Sequence, residues 1–202
     1  MEGRRERKKA ALRQHISDVA TGLFVARGFD QVSVSEIAEA ADVARPTVFA
    51  HFPRKEDLLF DQYPETEAEF VGAVLDRADG ISAVRAIADR ALFLASQESP
   101  PFLVRLRQEP FFRLVAESRA LQARAREMAE QLEDAVAMAM EATGVRQPRL
   151  VAALTAAAYR TAHLQSVRRV LAGHDPVDHV FRVQAALRVV EQAVDNDPAF
   201  VG

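Results

Sequence analysis

Cysteine is missing from the 202 residues, which excludes disulfides and thiolate metal sites and removes one sign of an oxidising compartment. No uninterrupted apolar run reaches the ~20 residues that span a bilayer. The basic start, MEGRRERKKA, lacks the apolar core that a secretory leader carries after it. A cytoplasmic protein with no membrane partner is expected. Strand-like alternation is nearly absent, as are repeats and low-complexity segments. There is no glycine-rich phosphate loop and no arguable nucleophile–base pair, so no catalytic residue, no cofactor and no enzyme activity are expected.

Apolar residues make up 49% of the chain, enough for an ordinary globular core. The net charge of −3 speaks against a uniformly basic nucleic-acid binder, but the distribution matters more than the total. Arg4, Arg5, Arg7, Lys8 and Lys9 gather at the start, opposed only by Glu2 and Glu6. Alone, such a cluster is a solvated, frayed terminus. It gains meaning beside an element that reads DNA.

Helical periodicity runs through the chain. Leu12, Ile16, Val19, Ala20, Leu23 and Phe24 form one stripe, which Gly28 ends. Ser33 and Glu36 make an S-x-x-E capping box that opens a short helix to about Ala41. A third short helix is predicted from Arg45 to His51, and a fourth from Arg54, kinked or broken at Pro64. Longer helices follow: one ends before Pro100–Pro101, one contains Pro110, and one carries Leu121, Ala125, Met128, Leu132, Val136 and Met140 up to Gly144. Pro148 opens a helix to Ala172, and Asp175–Pro176 is read as the cap and first turn of the last helix. The fold class is all-α: an N-terminal helix-turn-helix domain over 1–53, with the basic arm, then a helical domain over 54–202.

The stretch ADVARPTVFAHF, residues 41–52, is poor helix-forming material. A helix-turn-helix explains it. Ala38 is the small residue that permits close approach, Asp42 tolerates a left-handed turn, and Ile37, Val43, Val48 and Phe52 point inward. Pro46 falls in a first turn, where no amide bond is lost. Arg45, Pro46, Thr47, Phe49, Ala50 and His51 are then left outward, on a surface shaped for a groove.

From these residues, SVSEIAEAADVARPTVFAHFPRKEDL resembles the DNA-binding segment of the tetracycline-repressor (TetR) family of transcription regulators, over roughly residues 7 to 60. The resemblance implies that Arg45 and Pro46 face base edges, arginine toward guanine and proline toward a thymine methyl. It implies phosphate contacts for Thr47, His51 and Lys55, and for Ser33 and Ser35, although Ser33 is equally explained as a cap. Phe49 belongs to the same surface. Three residues depart from the family pattern: Asp42 stands for the turn glycine, Ala44 for the serine cap, and Phe49 for a tyrosine able to donate to phosphate.

The resemblance further implies a homodimer through the last two long helices, a double-stranded, near-palindromic DNA operator, and a small-molecule effector that releases a repressor. Apolar Val177, Val180, Phe181, Ala185, Leu187, Val190 and Val194 exceed one narrow stripe, as a dimerising helix requires. For the effector pocket the candidates are Phe70, Phe102, Phe112, Tyr159 and His163, with Phe93 and Phe111 beside them. Most phenylalanines at helical spacing are core, and a satisfied core histidine is the better account of His163 taken alone. Few charges fall among these positions, which favours an apolar or aromatic molecule; Arg105, Arg107 or Arg160 would receive an acid instead. The rival metal reading of His174, Asp175, Asp178 and His179 is outweighed by their role in opening the last helix, so no metal is expected. A helical module that has lost DNA binding is the other rival.

Overall fold

The computed structural model describes residues 3–98 and 102–196. Among these the backbone forms nine α-helices and two 3₁₀ turns, with no strand, in agreement with the all-α pattern. The chain divides into two compact units, residues 1–62 with 113–124, and residues 63–112 with 125–202.

The first unit holds α1 (Arg4–Arg27), α2 (Val34–Ala40), α3 (Arg45–His51) and a 3₁₀ turn, Glu56–Leu58. Helix α1 begins earlier than its apolar stripe suggests. Arg4 to Lys9 are helical, not a free arm, because arginine, lysine, glutamate and alanine are all good helix formers. The helix ends at Gly28, whose amide still bonds the Phe24 carbonyl at 2.8 Å and whose φ of 86° then turns the chain out of the helix. Ser33 caps α2 as its spacing predicts: its hydroxyl accepts from the Glu36 amide, and its own amide donates to the Glu36 carboxylate at 2.8 Å. Ile16, Ala20, Phe24, Ile37, Val48, Phe52 and Leu58 are fully buried and form the centre of this unit. The helix predicted from Arg54 amounts only to the 3₁₀ turn.

The second unit takes α4 (Tyr63–Leu75), α5 (Ala83–Ser96), α8 (Pro148–Leu171) and α9 (His179–Asn196). Helices α6 (Glu109–Glu117) and α7 (Arg119–Ala142) contribute residues to both units. Pro64 does not break a helix; it sits in the first turn of α4, where its missing amide has no partner to lose. Pro110 occupies the same position in α6, and residues 103–105 before it are not helical, with Phe102, Leu103 and Val104 buried. Pro100–Pro101 and Glu2 lie outside the described residues.

The last helix also starts later than predicted. Residues 175–178 form a turn, with the Val177 amide on the Asp175 carbonyl and the His179 amide on the Pro176 carbonyl. The first helical bond joins the Arg182 amide to Asp178, and the Arg182 guanidinium holds the Asp178 carboxylate at 2.5 Å. That pair fixes the start three residues downstream of the proline. Phe70, Val74, Ile87, Val136, Met140 and Val151 are among the residues of the main core of this unit.

Candidate functional site

Helix α3 has seven residues, too few to be stable alone. Val48 and Phe52 fasten its inner side, at 1% exposure each, and Val43 follows a turn whose amide returns to the Ala38 carbonyl at 2.9 Å. Arg13 of α1 completes the hold. Its guanidinium donates to the His51 carbonyl at 2.7 Å and the Asp61 carbonyl at 2.9 Å, and lies 4.1 Å from the centre of the Phe52 ring. The first of these bonds satisfies a carbonyl that a short helix leaves open at its end, and the second ties α1 to the segment after the 3₁₀ turn. The sequence reading missed Arg13; an arginine one turn before the buried stripe of α1 was its only trace.

Asp42 adopts φ 53°, the left-handed conformation expected of the turn. Asp42→Gly is therefore expected to stabilise the protein by about 1 kcal/mol, because glycine takes this backbone without the side-chain penalty. A lower urea midpoint for the variant would contradict this. Ala44 precedes α3 with no side-chain cap, again as its residue type requires.

The outward face of α3 presents Arg45, Pro46 and Ala50 to solvent, with Thr47 and His51 half-buried. Phe49 is 39% exposed, and the Arg45 guanidinium lies over its ring at 5.5 Å. An arginine and an aromatic four residues apart share one face, so Phe49 limits the directions in which Arg45 can point. Ser35 is exposed on α2, and Ser33 is engaged in its capping box. The Glu36 carboxylate is held down at about 2, chiefly by bonds from the Ser33 backbone and hydroxyl and then by Arg27 at 2.7 Å. Burial, then Lys9 and Arg13, lowers the His51 imidazole below its ordinary value. The exposed Lys9 and the half-buried Arg13 of α1 thus lie near the outward face of α3.

Lys55 is placed differently from the rest. Its ammonium donates to the Phe29 carbonyl at 2.5 Å and sits 4.1 Å from the centre of the Phe29 ring, half-buried. In this arrangement it ties the loop after α1 to the segment after α3. Asp57 does similar work: its carboxylate accepts from the Arg54 amide and pairs with Arg124 at 2.8 Å, with both side chains under 20% exposed.

In the second unit, the aromatic candidates are linked by ring contacts. Phe70 meets Phe102 edge-on at 5.3 Å and Tyr159 at 5.8 Å; Tyr159 stacks on His163 at 6.1 Å; His163 meets Phe112 edge-on at 6.1 Å. A cavity of about 220 Å³ opens on this chain. Phe70, Tyr159 and His163 line it, as do Thr155, Leu132 and Arg160, whereas Phe102 and Phe112 touch lining residues without lining it. Phe93 is half-exposed beneath Arg90, and Phe111 packs against a separate cluster of Val104, Phe112 and Val170. Burial raises the Tyr159 phenol, so it stays protonated. Burial, then the neighbouring His179, lowers the His163 imidazole to about 4.

His179, which the sequence marks only as part of the outweighed metal set, has a structural place. It is buried, with Nδ1 3.0 Å from the Ser166 hydroxyl and Nε2 3.2 Å from the Phe102 carbonyl. It thereby joins α8, α9 and the turn at Phe102, whose ring meets Phe70. Asp178 is paired with Arg182, and among the described residues no cluster of three or more possible metal ligands occurs. A second, open cleft of about 680 Å³ is bordered by Ser82, Arg85, Asp89 and Glu191, but Arg85 already pairs with Asp89 at 2.9 Å.

Comparison with known proteins agrees with this layout. Residues 16–61 match the family described as bacterial regulatory proteins, tetR family. The transcriptional regulator MftR of Mycobacterium tuberculosis is 40% identical over 78 residues, which is 39% of this chain and 39% of MftR, so the match spans about two-fifths of that relative. The crystal structure of Thermus thermophilus FadR, a tetR-family repressor in complex with lauroyl-CoA, is 25% identical with a TM-score of 0.55, covering 94% of this chain and all of FadR. The SmeT–triclosan complex shares the fold at a TM-score of 0.61 and 17% identity, with 95% of each chain covered. The likeness to the tetR family of bacterial regulatory proteins is thus carried by residues 16–61.

Proposed function

We propose that the protein is a homodimeric transcriptional repressor, released from a near-palindromic operator by a small molecule. The observation that carries this is the α2–turn–α3 unit: a recognition helix held by Phe52 and Arg13, with Arg45 and Pro46 exposed at its entrance. Residues 1–53 act as the DNA-binding domain and 54–202 as the ligand-binding and dimerisation domain. Arg45 and Pro46 read base edges; Thr47, His51, Ser35 and the basic start of α1 meet phosphates.

The dimer forms through α8 and α9. Leu150, Leu154 and Leu164 on α8, and Phe181 and Val189 on α9, are large apolar side chains between 39% and 70% exposed. Such a concentration on two adjacent helices suits a partner surface. Two-fold pairing would place the recognition helices in major grooves about 34–36 Å apart. The apolar cavity supports an effector site, and the small molecules bound in the FadR and SmeT structures favour the same assignment here. A ligand that binds the released conformation better than the DNA-bound one shifts the population toward release.

Selection of bound duplexes from a random pool tests the reading. The wild type is expected to enrich a palindrome. Arg45→Ala is expected to lose about 1–3 kcal/mol of specific binding and to relax preference at one base position per half-site. Absence of any enriched sequence at low salt, with the protein folded, would reject a DNA-binding role.

A further inference from the structure

The cavity of about 220 Å³ holds roughly a dozen non-hydrogen atoms at the packing density of a protein interior. Its polar groups are few and are not alike. The Thr155 hydroxyl donates to the Val151 carbonyl at 2.7 Å and needs nothing further. Glu133 and Arg160 also border the space, and their opposite charges leave the lining without a net formal charge.

His163 stands apart. Its ring lines the cavity, yet its Nδ1 is buried with no hydrogen-bond partner. A buried polar atom left unpaired is costly, and a ligand that supplies the missing partner gains by it. We propose that the cavity takes a neutral, ring-bearing alcohol or phenol, whose hydroxyl pairs with the His163 imidazole while its ring packs against Phe70, Tyr159 and Leu132. This rests on the reading of the second unit as an effector-binding domain and names the chemistry of that effector.

Three features select this class. A hydroxyl both donates and accepts, so it suits either tautomer of a neutral imidazole. The edge-on pair of Phe70 and Tyr159 offers aromatic surface, against which a further ring packs better than a flexible chain. A carboxylate would bring in a charge that the neutral imidazole does not offset and that Arg160, countered by Glu133, offsets poorly.

Calorimetric titration of the full chain at neutral pH with naphthalene, 2-naphthol and 2-naphthoate separates the contributions. The wild type is expected to bind 2-naphthol about tenfold more tightly than naphthalene, and 2-naphthoate more weakly than 2-naphthol. His163→Leu is expected to bring 2-naphthol within about threefold of naphthalene while naphthalene binding persists. His163→Gln, which restores a donor and an acceptor, is expected to keep part of the preference.

Equal binding of 2-naphthol and naphthalene by the wild type, tightest binding of 2-naphthoate, a preference that survives His163→Leu, or no binding at all would each overturn the proposal. The wild-type comparison stands even if a variant fails to fold. Adding the same compounds to the protein on its selected duplex keeps the two readings apart. His163-dependent binding of 2-naphthol without release of DNA supports the cavity assignment and counts against the effector role. Release by 2-naphthoate alone supports the regulator and overturns the phenol.

Discussion

Phe52→Ala is expected to destabilise the first unit by about 3–5 kcal/mol, the range for removing a fully buried phenylalanine. The ring is 1% exposed and lies under the Arg13 guanidinium at 4.1 Å. Its loss opens a cavity and also removes the surface that positions Arg13, whose bond to the His51 carbonyl closes the end of α3. Phe49→Ala provides the contrast. That ring is 39% exposed and its truncation is expected to cost less than about 1 kcal/mol, while disturbing Arg45, which rests on it. Urea unfolding followed by helical circular dichroism measures both. Comparable losses for the two variants would mean that α3 is not fastened through Phe52.

Acid is expected to weaken the second unit well before its carboxylates protonate. His163 has a folded-state value of about 4, below the ordinary 6.5, because burial and then His179 disfavour its charged form. Between these values the unfolded chain binds a proton that the folded chain does not. Stability is therefore complete above pH 6.5 and falls as pH drops toward about 4, with a slope approaching 1.4 kcal/mol per pH unit for a single site.

His179 is lowered as well, mainly by burial and also by Arg105; the bond to the Phe102 carbonyl and the charge of Asp178 oppose this. Its contribution has the same sign. Thermal midpoints of the wild type and His163→Phe, compared from pH 7 down to about 5, isolate the His163 share before carboxylates intervene. The variant is expected to lose less stability over that interval. Parallel curves would show that His163 accepts a proton in the folded chain as readily as in the unfolded one.

The two units differ in how far their sequences reveal them. The first was legible almost residue by residue, because its determinants are local. Ser33 and Glu36 are three apart and cap each other, Asp42 is a residue type that tolerates φ 53°, and α3 spans Arg45–His51 as read. Helix start signals close to proline were less dependable. Pro64, Pro110 and Pro176 each marked the neighbourhood of a helix start; the last start was displaced to His179 by an Arg182–Asp178 pair four residues apart.

The composition and spacing of the chain determined the helices, their approximate ends, the helix-turn-helix and the set of aromatic residues near the cavity. Tertiary structure alone decided which of those aromatics face empty space, that Arg13 closes α3 from 38 residues away, and that Lys55 bonds the Phe29 carbonyl. It also placed His179 between Ser166 and Phe102, leaving Nδ1 of His163 without a partner. The physical reason is range. Caps, turns and periodicity act over three or four residues and are written in the order of the chain. Cavities and unpaired buried atoms arise where distant segments meet, and they depend on how completely the side chains of several helices fill one volume.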